Sequence, residues 1–325
     1  WEDVLSLKYP EGARHIIQYL PTPDFDPEAP AGEPQYKDAT VYKIWSIAFG
    51  PATQPGRLYA GTIPGGLFVS DDGGDSWELN RPLWNHESRG GDLFKGEATS
   101  TTHWGGTPAS IDYGVFEPGI HSIVIDPRNA DHLYVAVSSA GILETKNGGK
   151  TWVGRNKGMR VDSLPDPEAE WGHDPHFVTA CRDQPDHVWQ QNHFGVYYSD
   201  NGAQSWNKVS LPDAGVHFGF PIAVDAQDGR TAWVVPARAD SERMALDGGL
   251  FVARTSDGGQ SWQSFRSGLP QENAYDIVFR HGLDVAGDCV CFGSTTGNVY
   301  LSEDRGEHWH CLGNHFPPVY SVRFG

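Results

Sequence analysis

Five short boxes constrain this chain of 325 residues more than anything else in it. They read SDDGGDSW (70–77), TKNGGKTW (145–152), SDNGAQSW (199–206), TSDGGQSW (255–262) and SEDRGEHW (302–309). The shared pattern is Ser/Thr-x-Asp/Asn-x-Gly-x-Ser/Thr-Trp, with Ala203 and His308 as departures. The closing Trp77, Trp152, Trp206, Trp262 and Trp309 lie 75, 54, 56 and 47 residues apart. A period near fifty residues means one supersecondary unit repeated along the chain, each burying its apolar face on the next.

A short apolar run precedes each box (GGLFV, AGILE, FGVYY, GGLFVAR, GNVYL), and a polar, strand-like stretch follows it. Each box is therefore expected to be a hairpin turn whose glycine supplies positive φ. Its Asp or Asn accepts hydrogen bonds from the N–H groups of its own turn, and so reads as a turn staple rather than a catalytic acid. The indole buries a large apolar area between neighbouring sheets. Two further strands lie upstream in each repeat. The first strands read IWSIAFGP (44–51), IHSIVIDP (120–127), PHFVTACR (175–182), FPIAVDAQ (220–227) and AYDIVFRH (274–281). The second strands read GRLYAGT, DHLYVAV, DHVWQQN, RTAWVVP and GDCVCFG. Four meandering strands per repeat, rich in β-branched and aromatic residues, predict an all-β fold: a β-propeller of four-stranded antiparallel blades.

The boxes resemble the Asp-box, or BNR, repeats of sialidases, sortilin-type receptors, xyloglucan-active glucanases and photosystem II assembly propellers. The resemblance covers residues 41 to 325. The strings GLFVSDDGGDSWE, PGIHSI, GHDPH, QQNHFGVY, GFPIAV and GLPQENAY are also similar to bacterial sialidase-like and glycosyl-hydrolase-like propellers. It implies the architecture and leaves the activity open, because unrelated functions share this scaffold.

One propeller domain is expected over 1–325, with a long insertion at 84–118. Trp1 aligns with the end of a box whose hairpin is absent, and PPVYSVRFG near the other end matches a first strand. At least one further N-terminal blade is therefore expected, with seven blades in the complete ring and six as the alternative. The net charge of −18 argues against nucleic acid or an anionic membrane as partner. No apolar run is long enough for a transmembrane helix. Cys181, Cys289, Cys291 and Cys311 show no C-x-x-C spacing and read as small buried hydrophobes in a reducing, cytoplasmic compartment.

Strand order sorts the loops by face. The loop into a first strand and the loop between second and third strands share one face, the top. The long connections 84–118, 158–174 and 236–248 lie there, and long loops carry function. So do His86, His103, His121, His173, His176, His193, His217 and His315, whereas only His132, His187 and His281 fall on bottom connections. The first strands open on Trp45, His121, His176, Phe220, Tyr275 and Tyr320, which are expected to ring the mouth of the axial channel.

His121, His173, His176 and His193 come from adjacent repeats, and clustered imidazoles are common transition-metal ligands. Zinc, iron or copper would suit such a set. Glu170 and Asp174 are candidate ligands, imidazole partners or bases. Glu272 is a candidate general acid/base. Gln190, Gln191, Asn192, Asn273, Tyr275 and Trp45 are candidate substrate contacts. Trp84, Trp104, Trp171 and Tyr113 are candidate platforms for a planar or sugar ligand, or loop-packing residues. The first expectation is a metal-dependent hydrolase or oxidoreductase acting on a small molecule. A glycoside hydrolase is the alternative, needing a carboxylate pair such as Glu170 and Glu272 about 5 to 9.5 Å apart. True sialidase chemistry is disfavoured: there is no Arg-Ile-Pro string, and Arg89, Arg160, Arg238 and Arg243 are scattered. A non-catalytic binding or assembly propeller is the third possibility.

Overall fold

The computed structural model describes residues 7–11, 13–17, 35–89, 118–161 and 166–325. Most of the 84–118 insertion, with His103, Trp104 and Tyr113, lies outside the described residues, as does Trp1. The chain divides into two compact units, Trp1–Arg155 with Ser163–Asp174, and Asn156–Asp162 with Pro175–Gly325.

Unit 1 pairs β1 (Arg14–Ile17) with β2 (Gln35–Asp38) and carries two four-stranded sheets. The first is β3 (Lys43–Phe49), β4 (Leu58–Ile63), β5 (Leu67–Ser70) and β6 (Glu78–Leu79). After the four-residue helix α1 (Arg81–Trp84) comes the second, β7 (Ile120–Ile125), β8 (Leu133–Val137), β9 (Gly141–Thr145) and β10 (Val153–Gly154). Unit 2 carries three more. They are β11 (Pro175–Ala180) to β14 (Asn207–Lys208) through β12 (Val188–Asn192) and β13 (Gly195–Ser199); β15 (Gly219–Val224), β16 (Ala232–Pro236), β17 (Val252–Thr255) and β18 (Gln263–Phe265); and β19 (Leu283–Ala286), β20 (Cys289–Gly293), β21 (Val299–Ser302) and β22 (His310–Gly313). Each sheet is an antiparallel meander in chain order. These are blades of a β-propeller, the all-β fold expected. No described helix is long and apolar enough to cross a membrane.

All five boxes fold as hairpin turns between the third and fourth strands of their sheets, and all build the same network. In the first, Ser70 Oγ donates to Asp72 Oδ1 at 2.7 Å and accepts from Gly74 N at 2.8 Å. Asp72 Oδ1 also accepts from Ser76 N at 2.9 Å. The equivalent bonds recur at Thr145, Asn147 and Thr151; at Ser199, Asn201 and Ser205; at Thr255, Asp257 and Ser261; and at Ser302, Asp304 and His308. These donors hold the Asp72 carboxyl well below the usual range, the Ser76 hydroxyl contributing most. The turn needs two successive residues at positive φ, normally glycine. Ala203 (φ 58°) and Arg305 (φ 63°) take that conformation without it.

Three of the box tryptophans pack against the preceding sheet. Trp152 packs with Tyr59 and Leu67 of the first sheet, Trp262 with Trp189 and Val196, and Trp309 with Trp233 and Val252. The second sheet is also tied by buried charge. Asp126 Oδ2 lies 2.9 Å from His132 Nδ1, whose Nε2 lies 2.7 Å from Glu144 Oε1, and Arg155 bonds Glu144 Oε2. Burial alone would raise the Glu144 carboxyl, but His132, Arg155 and Lys146 hold it down at about 2.

Two expectations fail at the C-terminal repeat. Residues 274–281 are not its first strand, which is β19 at Leu283–Ala286. The 274–281 segment runs extended and bonds elsewhere: Ile277 O accepts from Thr295 N, and His281 bridges Ser321 in parallel. PPVYSVRFG likewise forms no strand; beyond the Ser321 bridge, Val319 N donates to Ser294 O and Val322 N to His281 O. The cysteines are all free, but only Cys181 and Cys291 are buried; Cys311 is exposed.

Candidate functional site

Four first strands share a device that alternation alone does not reveal. Register shifts fall between Ile44 and Ser46, Ile120 and Ser122, Pro175 and Phe177, and Gly219 and Ile222. The extra residue at each bulge is Trp45, His121, His176 or, in the fourth strand, the Phe220–Pro221 pair. A bulge re-aims the side chain it carries. In unit 1 the Trp45 and His121 rings meet edge-on, with centroids 5.5 Å apart. In unit 2 His176 stacks on Phe220 at 4.7 Å and meets Phe218 and His193 edge-on. His176 Nδ1 donates to Gly219 O at 2.6 Å, which places the lone pair of the neutral ring on Nε2.

The four expected imidazole ligands do not form one set. His176 and His193 come together, with centroids 5.5 Å apart. His121 and His173 join no cluster of three ligating side chains among the described residues. His121 Nδ1 lies 2.9 Å from Ser122 Oγ. His173 turns back on its own loop, where Nε2 donates to Ala169 O at 2.7 Å. Its burial lowers its pKa. Asp174 accepts the Ser139 N–H at 3.0 Å and so caps the β8–β9 turn, where Ser139 sits at φ 60°. Glu170 and Trp171 lie over Gly154 of β10, a fourth strand, where a Cβ would collide with the Glu170 carboxylate. Glu170 is thus placed against the outer strand of its sheet rather than at the first-strand end. His86, just after α1, is tied by its ring to Ser88 Oγ and Trp152 O.

Gln191 and Asn192 are buried and spent on the fold rather than presented to a ligand. Gln191 Nε2 donates to Asn192 O at 3.1 Å; Asn192 Nδ2 donates to Gln190 Oε1 at 3.2 Å, and its Oδ1 accepts from Phe194 N. β12 is buried along its whole length, which leaves its polar side chains no access to solvent.

The remaining candidates, Glu272, Asn273 and Tyr275, do come together in unit 2. With Met244, Asp247, Gly248, Gln271 and Ala274 they line a pocket of about 350 Å³. Ala274 N donates to Gly248 O at 2.9 Å, joining the 236–248 loop to the segment after β18. Gln271 Nε2 pins that segment to Leu250 O and Leu269 O. Tyr275 is 62% exposed, a large ring facing water. Asp247 (φ 53°) and Asn273 (φ 55°) both hold positive φ without being glycine. Such strain costs about 1–3 kcal/mol each and clusters at functional sites. The pocket therefore presents two carboxylates, an amide and an exposed aromatic ring. Asp247 was not legible in the sequence, where LDGG reads as an ordinary turn.

No protein-family model matches the chain. It is 24% identical over 255 residues to an oligoxyloglucan-reducing end-specific xyloglucanase from Emericella nidulans, covering 78% of this chain and 25% of that protein. Among solved structures it resembles an ancestral GH74 enzyme with a TM-score of 0.58 and 19% identity, over 84% of this chain and 33% of that one. It also resembles the GH74 xyloglucanase of Xanthomonas campestris with a TM-score of 0.51 and 13% identity, over 83% and 38%. The chain spans between a quarter and two fifths of the length of these proteins. What it shares with them is the β-propeller fold.

Proposed function

We propose that this chain belongs to a carbohydrate-active propeller of Asp-box type, a glycoside hydrolase acting on a xyloglucan-like polysaccharide. The observation that carries the reading is the sequence similarity to a xyloglucanase over most of the chain, alongside a pocket whose groups suit a sugar. Glu272 and Asp247 are the proposed carboxylate pair, in place of Glu272 with Glu170. One would protonate the glycosidic oxygen while the other acts as nucleophile or activates water, the two roles glycoside hydrolysis requires. Tyr275 would offer a stacking face to a pyranose ring, and Asn273 would bond hydroxyls. The test is release of reducing ends from xyloglucan oligosaccharides by the purified chain, against Glu272→Gln and Asp247→Asn.

A second reading rests on the His176–His193 pair. The Gly219 carbonyl fixes the His176 tautomer, as partners of metal-bound imidazoles commonly do. A transition ion held there would polarise a small-molecule substrate or activate water. Elemental analysis of untagged protein tests it: stoichiometric zinc, iron or copper, lost in a His176→Ala/His193→Ala variant, supports this reading. Metal-free protein that hydrolyses xyloglucan excludes it.

A further inference from the structure

A second, larger concavity of about 820 Å³ lies in unit 1, beside the turns between third and fourth strands. Lys8, Arg57, Arg81 and Lys150 line it, against the carboxylates of Asp71 and Glu78. That excess of positive charge stands out in a chain with a net charge of −18. Arg57 is committed, since it pairs with Asp71 and bonds Tyr59. Lys8, Arg81 and Lys150 are exposed and make no side-chain hydrogen bond or ion pair among the described residues.

Each of the three stands on an anchored piece of backbone. Lys8 precedes Tyr9, whose ring packs on Phe68 and Trp84 and whose hydroxyl bonds Thr62 and Pro64 O. Arg81 opens the α1 turn that the Asn80 side chain caps. Lys150 sits in the second box, inside the Asn147–Thr151 network. The cations therefore come from three separate elements.

We propose that this pocket is an ancillary binding site for a carboxylate-bearing oligosaccharide of the uronate type. Carboxylates along a sugar chain can pair with the three cations, and sugar hydroxyls can donate to Glu78 and to the Gly148–Gly149 backbone. The negative charge of the ligand follows from the pocket's cations, while its sugar nature rests on the carbohydrate reading above. A pocket of this size takes more than one sugar ring.

Isothermal titration of the full chain with trigalacturonate tests the proposal, with cellotriose and citrate as controls. The expected result is binding of trigalacturonate that weakens with added salt and falls by about tenfold or more in an Arg81→Glu/Lys150→Glu variant, a loss readily measured by titration. Both residues are exposed, and an unchanged melting temperature verifies the fold of the variant. Hydrolysis of neutral xyloglucan is expected to be the same in both proteins, so loss of this site and loss of the proposed hydrolase activity are separately visible. No trigalacturonate binding, equal binding by the variant, equal binding of cellotriose, or binding of citrate alone would overturn the proposal.

Discussion

The Ala274 amide donates to the Gly248 carbonyl at 2.9 Å, and that bond ties the loop carrying Glu272 to the loop carrying Asp247. Both carboxylates therefore line one pocket of unit 2 although they are 25 residues apart in the chain. If this pocket performs hydrolysis, Glu272→Gln and Asp247→Asn should each lower kcat by about a hundredfold or more, since each removes an acid–base or nucleophilic role. Both side chains are exposed, so the melting temperature should stay within a degree or two.

Tyr275→Ala should act differently. It removes a stacking face and no titratable group at the reaction, so KM should rise by about three- to tenfold, the weight of roughly 1 kcal/mol of ring contact. A fall in kcat with unchanged KM would place Tyr275 at the reacting centre instead.

The box acids belong to stability. Asp257 accepts from Thr255 Oγ1, Ser261 N and Ser261 Oγ at 2.6–3.0 Å. Asp257→Ala should lower stability by about 1–3 kcal/mol, seen as a lower urea midpoint with unchanged slope. Asp257→Asn should cost less, because Asn147 and Asn201 already serve in two boxes. Hydrolysis rates should not change in either.

These turns were legible in the sequence because every bond in them spans two to four residues. The rest depended on longer-range choices. The apolar alternation of 274–281 is that of a strand, yet its backbone partners are Thr295 and Ser321 rather than β20. Topology placed His121, His173, His176 and His193 at the ends of their strands but could not say where each ring turns. His173 bonds Ala169 O, four residues back, and only His176 and His193 meet. The bulges that re-aim Trp45, His121 and His176 insert one residue and leave no signature in composition.

Equivalent positions should report how well each sheet is covered. Ile222 of β15 is 1% exposed, whereas Ile47, at the same place in β3, is 59% exposed. Ile222→Ala should cost about 2–5 kcal/mol. Ile47→Ala should cost less than about 1 kcal/mol, surface substitutions being mild. Urea denaturation of the two variants makes the comparison.

The buried ion network predicts a pH dependence. Glu144 is held at about 2 in the folded state against an ordinary 4.5. As pH falls through 4.5 the unfolded chain takes up a proton that the folded chain refuses. Stability contributed by this group is thus fully present above pH 4.5 and lost as pH approaches 2, by about 3 kcal/mol at most. Glu144→Gln should flatten the slope of stability against pH in that interval, measured by urea titration at steps of pH.

The glucan hydrolysis proposed for the Glu272–Asp247 pocket is open to direct assay. Reducing-end release from xyloglucan oligosaccharides by the wild-type chain and by Glu272→Gln tests it most directly. The account predicts turnover by the wild type and loss of about two orders of magnitude or more in the variant, with folding intact. Turnover undiminished in Glu272→Gln, or a folded wild-type chain that releases no reducing ends, would contradict it.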